Sequence, residues 1–132
     1  MKSKYFFSII LLSVFALTSC GDDEPDDLTI LNAKINGSTW VDGMTDVDLD
    51  VVMEITFSKA IDPSKVVSNS SLGSTGPIVN STASFSTDSL VMMVTTDPLA
   101  NMEDYTLSIM AGTLAADGGM LVNDYERSFT TK

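Results

Sequence analysis

From Asp46 to Ser58 apolar and polar residues take turns. Val47, Leu49, Val51, Met53, Ile55 and Phe57 interleave with Asp46, Asp48, Asp50, Glu54, Thr56 and Ser58, and only Val52 breaks the order. A period of two puts the apolar set on one face of a β-strand and the polar set on the other. Tyr105, Leu107 and Ile109 repeat the pattern against Thr106 and Ser108. Runs of β-branched and aromatic residues, bounded by Gly, Asn, Asp and Pro clusters, predict strands over 28–35, 47–57, 78–85, 90–96, 105–111 and 125–131. A weaker signal lies near Ser71-Leu72. No segment keeps a helical period of useful length, but Asp62-Pro63-Ser64-Lys65 offers an N-cap followed by proline at the first helical position, which predicts one helical turn. Asp117-Gly118-Gly119 reads as a hairpin turn that needs positive φ. Six or seven short strands in about a hundred residues predict an all-β sandwich.

The first 20 residues follow a different pattern. Lys2 and Lys4 precede an apolar run from Tyr5 to Leu17 that is too short to span a bilayer comfortably, and Thr18 and Ser19 lead into Cys20. This layout resembles the bacterial lipobox, in which the thiol is joined to a diacylglycerol. The resemblance implies a cleaved signal peptide over 1–19, a lipidated amino terminus at Cys20, and a protein anchored to the outer membrane through covalent lipid. Residues 20–27 then form a tether and residues 28–132 a single domain. Asp22, Asp23, Glu24, Asp26 and Asp27 surround Pro25 in that tether, a composition that buries nothing. Acidic residues directly behind the lipidated cysteine resemble the surface-export signal of Bacteroidota lipoproteins, which implies a protein facing the cell exterior. A merely soluble linker is the other reading.

Charge and composition narrow the function. The chain carries a net charge of −11; all 18 acidic residues follow Cys20, while Lys2 and Lys4 leave with the signal, so the mature chain stands at −13. Such an acidic surface argues against nucleic acid and against electrostatic attachment to anionic headgroups. There is no histidine, and the one cysteine belongs to the lipobox. Cys/His zinc sites, thiol nucleophiles, structural disulfides and triads with an imidazole base are thereby removed.

With the strands placed, the span from about Leu49 to Thr131 resembles a bacterial Ig-like domain of the type named from the S-layer protein SbsA. The matching pieces run from Ile55-Thr56-Phe57-Ser58-Lys59-Ala60-Ile61-Asp62-Pro63-Ser64, through Leu90 to Thr96, Pro98-Leu99 and Tyr105-Thr106-Leu107, to Ser128-Phe129-Thr130-Thr131. Arg127 departs from the pattern, standing where an aromatic is usual. The resemblance implies an Ig-like β-sandwich of about seven strands, used as a spacer or binding module at cell surfaces, with no shared catalytic residue.

Several residues carry candidate chemistry. Tyr105 starts a strand after a turn rich in Asn and Asp, which suggests a tyrosine corner with the ring in the core and the hydroxyl on turn backbone. Asp46, Asp48 and Asp50 fall on one face of a strand that begins this early, and with Asp42 could hold Ca²⁺; a plain solvated face is the simpler reading, and no other cofactor is expected. Trp40, the only tryptophan, lies in a polar stretch where an exposed indole could stack on a sugar, although covering the open end of a small sandwich is the commoner use. Asp88-Ser89-Leu90 resembles the short O-glycosylation motif of Bacteroidota secreted proteins, with Ser89 as acceptor, and is brief enough to arise by chance. Paired carboxylates for hydrolysis would need a deep cleft that a sandwich of this size lacks, so no enzyme is expected. The expected function is a surface-exposed, lipid-anchored module for adhesion, glycan capture or accessory binding to another surface protein. The alternative is a non-binding spacer, the N-terminal stub of a larger surface protein or enzyme.

Overall fold

The computed structural model describes residues 24–76 and 78–132. In chain order the elements are β1 (Ile30–Ile35), β2 (Ser38–Thr39), β3 (Met44–Val47), β4 (Val52–Phe57), α1 (Pro63–Ser68), β5 (Ser70–Ser74), β6 (Ser81–Phe85), β7 (Val91–Thr96), β8 (Asp104–Ile109), β9 (Gly112–Thr113), β10 (Met120–Leu121) and β11 (Tyr125–Thr131). One sheet runs β2-β1-β4-β7-β6 and the other β3-β11-β8-β5, while β9 and β10 pair with each other. Among the described strands the pairings are antiparallel except β3 beside β11, and Leu28 adds an isolated parallel bridge to Leu121. Taken as A-B-E-D over A′-G-F-C, this is the strand order of an Ig-like sandwich whose first strand divides between the two sheets.

Alternation builds the core. Met53, Ile55 and Phe57 from β4 and Met92 and Val94 from β7 are buried, as are Tyr105, Leu107 and Ile109 from β8. Phe129 of β11 lies between two other rings. Its centroid is 5.4 Å from Tyr105, nearly parallel, and 5.7 Å from Trp40, edge to face. Both geometries are favourable for aromatic quadrupoles.

Local signals produced the expected turns. Asp62 caps α1 by accepting from the Ser64 and Lys65 amides at 3.1 and 3.4 Å, with Pro63 in the first turn. Asp117 accepts from the Gly119 amide at 2.9 Å, and Gly118 takes φ of 93°.

The expected strand over 47–57 is two strands. Met44–Val47 belongs to one sheet and Val52–Phe57 to the other, and residues 48–51 cross between them. Tertiary bonds impose the break: the Val47 carbonyl accepts from the Lys132 amide, that of Leu49 from Leu99, and that of Val51 from Thr96. Asp46 adopts φ of 58° where the β3–β11 register shifts. Alternation in the sequence runs straight through a place where the chain changes sheets.

The two ends of the sandwich have different roles. At one pole Ile30 pairs with Phe57 and Phe85 with Met92, and Leu28 donates to the Met120 carbonyl at 2.8 Å as the tether arrives. At the opposite pole Ile35 pairs with Met53 and Ser81 with Thr96, and the Met102 amide donates to the Lys132 carbonyl. Residues 24–28 therefore lie at one pole, and β11 runs to the opposite, distal pole.

Candidate functional site

The distal pole is made by loops that lock one another. Thr75 donates its hydroxyl to Glu103 at 3.0 Å, and Asn80 donates its amide to Asp97 at 3.3 Å, joining the β5–β6 loop to the β7–β8 loop. A Cβ at Gly76 would meet the Glu103 carboxylate at 2.7 Å, so a larger residue there would displace the end of that side chain from its bond to Thr75. The Tyr105 hydroxyl accepts from the Ala100 amide at 2.9 Å, the tyrosine corner expected from the sequence. Thr131 donates its hydroxyl to the Ala100 carbonyl at 2.6 Å and fixes the same loop to β11.

On this braced surface stand Ile78, 94% exposed, and Met102, 84% exposed, the two most exposed large apolar side chains among the described residues. Met102 takes φ of 53°, a left-handed conformation that is uncommon outside glycine and strained for a bulky residue. A depression of about 290 Å³ is lined by Ile78, with Val79, Pro98 and Leu99 in its wall. Asp46, Asp48, Asp50, Asp97 and Asp104 are exposed on the same end, and Asp48 pairs with Lys132, raising the lysine pKa above its ordinary value chiefly through that hydrogen bond. Chemically this end presents exposed apolar side chains among acidic ones.

The residues singled out from the sequence fall in separate places. Cys20, Asp22 and Asp23 lie outside the described residues. Glu24, Asp26 and Asp27 are exposed, but the tether backbone is held: the Lys59 ammonium donates to the Asp26 carbonyl at 2.6 Å while pairing with Asp117 at 3.1 Å. A side chain at Gly119 would come within 2.6 Å of that same carbonyl.

Sugar stacking on Trp40 is corrected. The indole is only 3% exposed, packed against Phe129, and its Nε1 donates to the Ser128 carbonyl at 3.1 Å. No ring face remains for a ligand, and the tryptophan is part of the core. A shared calcium face on Asp42, Asp46, Asp48 and Asp50 is corrected as well, because the strand break divides them. Asp42 accepts from the Ser128 amide and hydroxyl at 2.8 and 2.9 Å, which holds its pKa below the ordinary value. Among the described residues no group of three or more His, Cys, Asp or Glu side chains is arranged to hold a metal ion.

Ser89 sits in the β6–β7 hairpin at φ of 57°, half-buried, with its amide bonded to the Ser86 carbonyl. Asp88 accepts from the Ser86 hydroxyl and the Leu90 amide, which lowers its pKa. The tripeptide thus has a structural use in the turn. Arg127 replaces the usual aromatic by laying its guanidinium 4.8 Å over the Tyr125 ring. Burial pushes the Tyr125 phenol above its ordinary pKa. Sequence reasoning missed Ile78 and Met102 because an isolated exposed apolar residue leaves no periodic trace.

The Ig-like class that this topology defines has a specific family. Residues 32–131 match the bacterial Ig-like domain, and the chain belongs to that family. The match starts ahead of Leu49 and takes in most of β1 with β2 and β3. Among solved structures, native alpha-2-macroglobulin from Escherichia coli, in a part spanning domains MG0-NIE-MG1, is similar at a TM-score of 0.58 and 20% identity, over 80% of this chain and 32% of that one. The N-terminal part of the bacterial S-layer protein SbsC is similar at 0.51 and 18%, over 80% of this chain and 24% of that one. At such identities the likeness concerns the fold. The chain spans a third or less of the length of these proteins. No curated protein sequence matches it.

Proposed function

We propose that this protein is a non-catalytic, lipid-anchored Ig-like module on the outer face of the outer membrane, holding its distal pole outward for adhesion or for contact with another surface protein. The observation that carries the reading is the position of Ile78 and Met102. The two most exposed large apolar side chains among the described residues stand on the pole opposite residues 24–27, on loops braced by Thr75–Glu103, Asn80–Asp97 and Tyr105–Ala100 contacts. Exposed apolar groups on a rigid, polar-rimmed surface are what a protein contact uses. Export by the acidic tether and acylation at Cys20 supply the anchoring in this reading. Spacing is the second reading, favoured by β1 starting at one pole and β11 reaching the other.

Site-directed labelling tests the proposal. Met102→Cys introduces a distal thiol while Cys20 is blocked by acylation. Intact cells should take up a membrane-impermeant maleimide at that position, and Cys20→Ala should release the protein from membranes. Labelling that needs lysed cells would overturn outward display; membrane retention of Cys20→Ala would overturn the anchor.

A further inference from the structure

We infer that β6 is a self-pairing edge, through which two copies of this chain join their five-stranded sheets into one. Charge gives the first argument. From Val66 to Thr87 the chain has 22 consecutive residues without Asp, Glu, Lys or Arg, so all 7 basic and 18 acidic residues lie elsewhere. That run contains both β5 and β6, the edge strands on one flank, and their neighbours β7 and residues 105–109 of β8 are uncharged too. Two molecules of net charge −11 repel across most orientations. This flank is where an identical copy can approach without opposing like charges.

Backbone geometry gives the second. The Ser86 amide donates to the Val91 carbonyl, and the Asn80 carbonyl accepts from the Asp97 amide. In an antiparallel pair such residues alternate with ones whose groups point away, so Ser81, Ala83 and Phe85 turn their N–H and C=O to the open side. Nothing in β6 blunts that edge. It has no charge, no proline and no register shift in its pairing with β7, whereas protected edges carry such devices.

Shape gives the third. Ser81, Ala83 and Phe85 stand beside Thr96, Val94 and Met92, so their side chains face inward. Small residues at 81 and 83 leave a cleft of about 130 Å³ between the sheets, lined also by Leu72, Met92, Val94 and Leu107. A two-fold axis at Ala83 pairs Ala83 with its own copy and Ser81 with Phe85 of the second copy, and all three pairs use the outward backbone groups. Cross-strand neighbours share a face. The phenyl ring of each copy is thereby laid beside the small Ser81 of the other, over the mouth of its cleft. Such a contact is isologous and closes at two copies. It involves neither pole, so it stands whether or not the protein is lipid-anchored.

The test uses the full chain in membranes. Ala83→Cys, treated with a short bis-maleimide, should give a major band at twice the monomer mass, while Leu31→Cys on the opposite flank should give little. Adding Ala83→Asp instead, which opposes two carboxylates at the axis, should remove the dimer seen by sedimentation in detergent, while the monomer, whose residue 83 is exposed at the mouth of the cleft, still melts cooperatively. No excess of dimer from Ala83→Cys over Leu31→Cys would overturn the inference. So would a cross-linked product containing a different protein, or a dimer that survives Ala83→Asp.

Discussion

The two flanks of the sandwich end their sheets in opposite ways. On the β1–β3 flank the outward backbone of β11 is covered: the Ser128 amide donates to Asp42, and the Ser128 carbonyl accepts from Gly43 and from the Trp40 indole. β2 has two residues, β3 has four, and Asp46 turns β3 into a left-handed conformation. On the β5–β6 flank both edges have five residues, no charge and no irregular pairing. Edge strands are a pairing hazard that proteins suppress by length, charge and bulges. Here one flank is suppressed and the other is left able to pair, a difference of surface chemistry within one fold.

The largest test of the contrast removes the ring that ties the covered flank to the core. Phe129→Ala takes away the partner of both Trp40 and Tyr105, and truncation of a buried aromatic costs about 3–5 kcal/mol. A denaturant midpoint near that of the parent would show that this flank is not held by packing. A single substitution then separates the flanks by sign. Ala33→Val adds bulk at a buried position of β1 and should destabilise by about 1–3 kcal/mol. Ala83→Val puts the same bulk into the β6 cleft and should stabilise by about 0.5–1 kcal/mol, as cavity filling commonly does. Equal signs in thermal melts would mean that the flanks are equally packed.

Acid should act on the covered flank through Asp42. Its folded pKa is lowered, first by the Ser128 amide and then by the Ser128 hydroxyl. A depressed carboxylate contributes stability above its unfolded pKa, about 3.9, and loses it as pH falls through the folded value. Asp62, Asp88 and Asp117 are lowered as well, by hydrogen bonds in the α1 cap and two turns. Asp42→Asn should therefore flatten the acid limb of the stability curve without abolishing it. An unchanged limb would show that Asp42 holds nothing.

Much of this fold can be read locally, and the exceptions have a common cause. β4, β7, β8 and β11, the α1 cap, the Asp117-Gly118-Gly119 turn and the Tyr105 corner each follow from residues near one another in the chain. β3 was hidden because alternation from Asp46 to Phe57 is broken only at Val52, while the bonds that split the run come from Leu99, Thr96 and Lys132. Trp40 was misplaced for the same reason. Its polar neighbours say nothing of a ring face that meets Phe129 far along the chain. The exposed Ile78 and Met102 had no local signal, but the β5–β6 flank did: the charge-free run from Val66 to Thr87 is visible in the sequence, and its place on two edge strands gives it meaning.

Residue-resolved hydrogen exchange on dilute protein tests the difference between the flanks most directly. The account predicts that the Ser128 amide, bonded to Asp42, and the Thr82 and Ser84 amides, bonded to β7, exchange slowly. Ser81, Ala83 and Phe85 should exchange near the rate of an open chain. Protection at Ala83 equal to that at Ser128 in the dilute monomer would contradict it, since that edge would then be as well covered as the other.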